Sequence, residues 1–375
     1  MQRQGHVETA WAAAPATSTE QQMLSGAGDR RHPPSRLSTL LAEVQARGLS
    51  VEAVLDGTGL DRDAVDNPFT LTSCAQYLRA SRNAVRLDAS GELGVHVGER
   101  MRASHYGMYG YALLCSETLQ QVWTRAVAYH PLSGGMLPLR WGIEGDEVVW
   151  VFPSLADFPW PDVDDALYRF MIDLQFAAHV TIGRDVMGAD FSPARASFAG
   201  PPPRHAAELE RVLRCPLSFN EVRNTLCFPV DCLQRAPHLA NPVTASHVSM
   251  QCARLLDELR WNAGTTRQVY GEITRVPGHF PEIEEVAARL CTTSRTLRRR
   301  LEAEGATFSE LLTAVRKTLA IDYLTTTRMS TEDIAEALGF SDVVAFRHAF
   351  KRWTQLTPKA YREAQAQASA SGNAH

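Results

Sequence analysis

The sequence predicts a multidomain protein: an α+β N-terminal domain followed by an all-α C-terminal domain that carries two helix-turn-helix units. Three observations predict it. The 375 residues exceed one ordinary core and divide most naturally into two. The first two thirds mix helical periodicity with short β-like runs, whereas beyond Pro242 nearly every segment has helical spacing, broken at Gly264, Pro277, Gly278, Gly305, Gly339 and Pro358. Within that helical third a pattern recurs after about 48 residues, Glu284 to Leu290 being echoed by Glu332 to Leu338.

Taken in order, residues 1–35 mix Gln, Ala, Ser, Thr and Pro without periodicity and hold no apolar run of the kind that marks a secretion signal, so a disordered tail is expected. A first domain is expected over 36–236. It opens at Arg36, where Leu37, Leu40, Leu41 and Val44 keep the i, i+3, i+4, i+7 spacing of a helix until Gly48, and a second short helix runs to about Leu55. Residues 73–87 and 117–130 have helical spacing as well. Leu137 to Trp141 and Val148 to Phe152 read as strands around a turn at Glu144, Gly145 and Asp146. A long helix is expected from Asp164 to about Thr181, a loop at the prolines of 201–203, and late strands at Leu217 to Phe219 and Leu226 to Val230. The prolines between Ala236 and Pro242 end this domain. A linker and connecting helix take 237–264, with the helix from about Val243 to Leu259, and the second domain takes 265–364. Residues 365–375, rich in Ala, Gln and Ser, read as another disordered tail.

Composition excludes several classes. A hydrophobic share of 45% with 21% charged residues is that of an ordinary soluble protein, and no stretch reaches the ~20 uninterrupted apolar residues of a membrane helix, so no membrane partner is expected. The seven cysteines, Cys74, Cys115, Cys215, Cys227, Cys232, Cys252 and Cys291, are odd in number and scattered, which favours a reducing compartment and a cytoplasmic location. Cys227 and Cys232, the nearest pair, are expected as core residues. His105, His130, His179 and His205 occur singly, and no H-E-x-x-H, G-x-S-x-G or P-loop spacing is present; no catalytic residue, metal or cofactor is expected. The net charge of −4 is unevenly spread: of 38 basic and 42 acidic residues, 13 and 12 fall within 281–363, so the C-terminal segment is near neutral and the rest acidic. Clustering inside that segment matters more than the sum.

In the first copy of the repeat Ile283, Val286, Ala287 and Leu290 form one apolar face, and Leu297 and Leu301 continue it after a turn at Cys291 to Thr293. In the second, Phe346, Phe350 and Trp353 supply the inward face, and Ser330 with Asp333 forms a capping box. Ala287 and Ala335 are small where two helices must cross, and Gly339 can take the positive φ of a tight turn. With Leu297 and Leu301 inward, Arg295, Arg298 and Arg299 point outward and Arg300 lies near the edge. Arg347, His348, Lys351 and Arg352 do the same in the second copy. A single basic cluster usually just solvates a surface helix. Two at repeat-related positions point to double-stranded DNA, whose guanine edge Arg matches bidentately and whose phosphates Lys and Arg neutralise.

The stretch Glu332 to Arg362, with Ile-Ala-Glu-Ala-Leu-Gly-Phe-Ser-Asp, Ala-Phe-Arg-His-Ala-Phe-Lys-Arg-Trp and Thr-Pro-Lys-Ala-Tyr-Arg, closely resembles the signature of the AraC/XylS family of transcription regulators. The likeness extends upstream through Ala287 to Leu301 and a linking helix from about Phe308 to Leu324. It implies two helix-turn-helix units held so that both enter successive major grooves, about 34 Å apart, on one face of DNA. By this resemblance the base-reading positions are Arg295, Arg298 and Arg299 in the first unit and Val343, Val344, Arg347 and His348 in the second. Three arginines favour guanine edges, each contributing ~1–3 kcal/mol of discrimination, whereas the valines offer only apolar contact to thymine methyls. Most sequence specificity is therefore expected from the first unit. Cys291 and Gln355 stand where the family usually has Gly, and His348 where Arg is common. At Cys291 this implies strain on the order of 1 kcal/mol or another backbone geometry.

Leu37 to Trp141, including His105-Tyr106-Gly107-Met108-Tyr109-Gly110-Tyr111-Ala112-Leu113-Leu114, resembles the arabinose-binding type of N-terminal domain found in a subset of that family. This implies that the first domain senses a small-molecule effector of unidentified chemistry, dimerises, or both. The whole then reads as a ligand-responsive regulator, an activator like most of the family, with RNA polymerase and a second copy of the chain as further partners. Tyr106, Tyr109, Tyr111, Trp123, Trp141, Trp150 and Trp160 can line a pocket or fill the core, and no ligand-contacting residue is assigned. Two alternatives stay open. One is an enzyme or redox sensor fused to DNA-binding units, which requires turnover in the first domain or reactive Cys227 and Cys232. The other is a regulator without effector, governed by its abundance.

Overall fold

The computed structural model describes residues 11–12, 27–260, 264–276, 278–327, 329–354 and 356–362. The chain divides into two units, Met1–Cys252 and Ala253–His375.

The first unit is α+β. Its sheet has six strands in the order β1-β2-β3-β6-β4-β5: β1 Trp11–Ala12, β2 Arg140–Glu144, β3 Glu147–Phe152, β4 Arg195–Ser197, β5 Leu217–Ser218 and β6 Asn224–Pro229. All neighbours are antiparallel except β4 with β5. The β2–β3 hairpin closes over two residues, Gly145 and Asp146, with Gly145 at φ +63°, as its type of tight turn requires. That turn pairs Glu144 with Glu147 and therefore Trp141 with Trp150. The first strand accordingly begins at Arg140 rather than Leu137, three positions later than the hydrophobic pattern alone predicts.

Among the described residues ten α-helices accompany the sheet, the last of which runs on into the second unit: α1 Ser35–Ala46, α2 Val51–Leu55, α3 Arg62–Asp66, α4 Cys74–Leu87, α5 Leu93–Arg100, α6 Gly107–Leu114, α7 Leu119–Ala128, α8 Asp165–Met187, α9 Ala206–Leu213 and α10 Pro242–Arg260. The 23-residue α8, whose first turn is capped by Asp164 accepting from the Leu167 amide at 2.9 Å, separates two cores. Ile172, Phe176 and Val180 pack toward Trp150, Phe198 and Phe228 of the sheet side. Leu167, Phe170, Met171 and Leu174 pack with Leu37, Leu40, Leu41 and Val44 of α1. Helix α5 lies against α8 at a distance only glycine permits: a Cβ on Gly94 would meet the Phe170 carbonyl at 2.5 Å, and one on Gly98 the Leu174 carbonyl at 2.4 Å. Intrinsic propensity argues against a helix there, and tertiary packing overrides it.

Residues 27–34 differ from the expected tail. The Arg31 and His32 amides both donate to the Thr72 carbonyl at 3.0 Å, and Thr72 returns one bond to His32 at 2.7 Å, so this segment is tied down by backbone pairing. Trp11–Ala12 likewise pairs with β2. The rest of that tail, and residues 365–375, lie outside the described residues, as do Pro277 and Gln355. The two units part within α10 rather than at the prolines before it. Val248 and Cys252 are buried with Ala112 against Tyr129 and Leu132, and the Tyr129 hydroxyl donates to the Ser249 carbonyl at 3.2 Å, so the first half of α10 belongs to the first unit.

The second unit is all-α, with α11 Gly264–Thr274, α12 Ile283–Arg289, α13 Ser294–Ala303, α14 Phe308–Thr326, α15 Thr331–Ala337, α16 Val343–Thr354 and a last helical turn over 358–362. Val269 and Ile273 of α11 share a core with Val286, Ala287, Leu297, Leu301, Leu311 and Val315. Glu304 ties this core together. Its carboxylate accepts from the Thr265 and Thr266 amides, both at 2.8 Å, and from the Thr266 hydroxyl at 2.6 Å, closing the start of α11. Burial alone would raise this carboxyl; the bonds from Thr266 and Thr265 hold it below its ordinary value.

Candidate nucleic-acid interface

Helices α12 and α13, and again α15 and α16, are joined by the same backbone device. After α12 the Cys291 amide donates to Ala288 at 3.1 Å and the Thr292 amide to Ala287 at 2.9 Å; after α15 the Gly339 amide donates to Glu336 at 2.9 Å and the Phe340 amide to Ala335 at 3.0 Å. This pair of bonds needs a left-handed residue between them. Cys291 supplies it at φ +52° and Gly339 at φ +69°. Of the two geometries open to Cys291, the strained one is thus adopted. Each following helix is capped: Thr293 accepts from the Thr296 amide at 3.2 Å, and Asp342 from the Ala345 amide at 2.7 Å. Ser330 and Asp333 form the expected capping box at 3.0 and 3.1 Å.

The apolar sides of α13 and α16 are buried through Leu297 and Leu301, and through Phe346 and Phe350. This turns the opposite sides to solvent. Arg295, Arg298, Arg299 and Arg300 are all exposed, the first three on one face by their spacing of three and four. On α16 Arg347, His348, Lys351 and Arg352 are exposed, Val344 is 54% exposed, and Val343 is half-buried. One relation is not visible in either motif alone. Arg298 meets Glu284 at 3.4 Å and Arg347 meets Glu332 at 3.0 Å, so each unit pairs an outward arginine with the repeat-related glutamate of its preceding helix. Both pairs are exposed and of small energy, so they orient the guanidinium without sequestering it.

Two features behind this surface escaped sequence reasoning. Arg316 of α14 lies between the rings of Phe280 and Phe340, 4.9 and 5.2 Å from their centroids, and donates to the Gly339 carbonyl at 3.3 Å. It links the segment before the first helix-turn-helix to the turn of the second. The Thr-Pro-Lys-Ala-Tyr-Arg stretch acts as a buttress, with Tyr361 edge-on to Phe350 at 5.5 Å and Arg362 donating to the Leu324 and Met329 carbonyls at 3.3 and 2.8 Å.

In the first unit the aromatic residues separate. Trp141 and Trp150 pack on Trp123 as core, Trp160 donates to the Met136 carbonyl at 2.6 Å, and Tyr111 is exposed; Tyr106, Tyr109 and Trp123 border a cavity. His105 bonds the Thr39 hydroxyl at 3.2 Å, His130 the Leu137 carbonyl at 2.8 Å, and His205 the buried Asp173 at 2.8 Å. The glycines of the 105–114 motif have local reasons: Gly107 has φ +55°, and Gly110 lies where a Cβ would overlap the Ala103 carbonyl. Cys227 and Cys232 are buried, and burial pushes both thiols up, Cys232 to about 11, away from thiolate chemistry.

Tandem helix-turn-helix units with basic second helices turned to solvent define a DNA-binding regulator. Comparison with known proteins agrees. Residues 48–237 match the arabinose-binding domain of AraC transcription regulators, and 286–364 match a helix-turn-helix domain. The chain is 31% identical to the ornithine utilization regulator of Pseudomonas aeruginosa over 88% of this chain and 96% of that one. It is 27% identical to the regulator VqsM of the same organism over 80% of this chain and 93% of that one. The crystal structure of CdpR, also from P. aeruginosa, is 22% identical and covers 88% of this chain and 98% of its own, with a TM-score of 0.45. The protein belongs to the AraC family of transcription regulators.

Proposed function

We propose that the protein is a ligand-responsive transcription activator whose two helix-turn-helix units read successive major grooves. Bases are contacted by Arg295, Arg298 and Arg299 from α13 and by Val343, Val344, Arg347 and His348 from α16. Arg300, Lys351 and Arg352 engage phosphate. The observation that carries this reading is the repeated turn: the same two backbone bonds aim α13 and α16, and each presents a basic side opposite a buried apolar one. Arg298 and Arg347, steadied by Glu284 and Glu332, are preorganised for a planar, bidentate partner such as guanine.

The first unit binds a small effector and does not turn it over; its histidines are engaged as structural hydrogen-bond and packing partners, and its buried cysteines are poor nucleophiles. Among the described residues no helix is long and apolar enough to cross a membrane, in keeping with action in the cytoplasm on DNA and RNA polymerase. A homodimer would present four units to DNA.

The deciding experiment is selection of binding sites by the full-length protein from a random duplex pool at two salt concentrations. Enrichment of a site with two elements about one helical turn apart is expected. Salt-sensitive binding without enrichment would reduce the protein to a non-specific binder.

A further inference from the structure

The first unit holds a cavity of about 60 Å³, room for about four water-sized groups. One side is apolar, built by Leu119, Val122, Trp123 and Ala126 of α7. The other side carries polar groups: Arg36, His130, Gln175 and His179. Arg36 lies over the Tyr77 ring at 4.3 Å and donates to the Gly134 carbonyl, and among the described residues no carboxylate pairs with it. Gln175 and His179, one helical turn apart on α8, face the cavity as well, with the His179 ring edge-on to Trp150 at 4.2 Å. Among the described residues no Asp or Glu lines the cavity. The two imidazoles at its wall are neutral near pH 7, because burial drives His130 down to about 4 and His179 to about 3. His130 then donates from Nε2 to the Leu137 carbonyl. Among the described residues that line the site the one formal charge is the Arg36 guanidinium, held by Tyr77 and Gly134 and paired with no carboxylate.

We infer that this cavity is the effector site and that it takes a compact monocarboxylate, its carboxylate on Arg36 and its short hydrocarbon part against Val122 and Trp123. The inference rests on the reading of the first unit as the ligand-binding half of a regulator. A planar carboxylate matches the fork of the guanidinium, whereas inorganic phosphate leaves the apolar wall uncovered. A diamine brings charge to a wall that has no carboxylate to receive it. The walls also suggest how occupancy is felt. Leu113, His130 and Ser133 line the cavity, and their chain neighbours Ala112, Tyr129 and Leu132 grip Val248 and Cys252 of α10, the helix that continues toward the DNA-binding half.

The test is the melting temperature of the full-length protein at constant ionic strength with propionate or butyrate, the matching amides, 1,4-diaminobutane and inorganic phosphate. Saturable rises of roughly 5–10 °C at a hundredfold excess over Kd are expected with the carboxylates and with no other probe. Arg36→Gln should abolish the response. Because Arg36 also holds Gly134 and Tyr77, Ala126→Leu serves as a second variant, filling the cavity with Arg36 intact, and it too should remove the response. No rise with either carboxylate, an equal rise with the amides, or an undiminished rise in both variants would overturn the inference. The regulator reading fails separately, through absence of site enrichment in the DNA selection.

Discussion

Cys291 and Gly339 hold the same place in the two helix-turn-helix units, in the same left-handed conformation, yet only glycine adopts it without a steric cost. The cores beneath them differ too. Leu297 and Leu301 pack with Ile283 and Val286 in the first helix-turn-helix, whereas in the second Phe346 meets Phe340 and Phe350 at tilted angles and Phe350 meets Tyr361 edge-on. The outward faces differ in the opposite sense: the first has four arginines, the second begins with two valines. The comparison teaches that turn geometry is held fixed while the means of stabilising it and the surface it displays diverge. The unit with the richer outward chemistry rests on the more strained turn.

The largest expected effect lies in the cores. Phe346→Ala should cost about 3–5 kcal/mol and Leu297→Ala about 2–5, read by denaturant unfolding, with the aromatic deletion the greater; the reverse order would break the contrast. Next come the outward faces. Arg298→Ala should relax preference at one base position by about 1–3 kcal/mol in competitive binding, whereas Val344→Ala should change little and Lys351→Ala should weaken all sequences and lower the salt slope by about one. Equal, sequence-independent losses from Arg298→Ala and Lys351→Ala would mean that Arg298 touches only phosphate. Ser330→Ala removes half of the capping box before α15 and should cost about 1 kcal/mol of unfolding free energy, a term with no counterpart before α12, where Glu282 makes no side-chain cap. Smallest is the turn itself. Cys291→Gly should stabilise by about 0.5–1 kcal/mol. Gly339→Ala should destabilise by more than that, because its Cβ would also approach Phe280 at 3.2 Å and Arg316 at 3.3 Å. A neutral result at both positions would remove backbone strain from the account.

Much of this was legible in the sequence where periodicity is local. The Leu37, Leu40, Leu41, Val44 stripe, the repeat after 48 residues and the Ser330–Asp333 box all lie within a few helical turns, and the helices they predict are present. What escaped depends on partners distant in the chain. Helix α5 was not expected, and its two glycines gain a role only where Phe170 and Leu174 supply the close surface they serve. Strands β1 and β4 are two and three residues long, too short for any alternation to register. At the interface the eight basic residues were legible from the buried face opposite them, whereas Val343 and Val344 came only from the family resemblance, and Val343 is half-buried. Glu284 and Glu332 were visible as repeat members but not as partners of arginines, since nothing in a linear pattern says which glutamate a helix fourteen or fifteen residues on will meet. Arg316 gave no signal either, being one cation on a long amphipathic helix until two rings close on it.

The Glu304 clamp has a practical consequence for dissecting the protein. The repeat begins near Glu284, and a fragment trimmed to start there would look complete by pattern. It would lack Thr265 and Thr266, the donors that fix the Glu304 carboxylate, and would leave the Val286–Leu297 core without the Val269 and Ile273 side of its wall. The smallest self-sufficient reader therefore begins ahead of Gly264, and shorter versions should express as sticky, easily digested material rather than as a weaker binder.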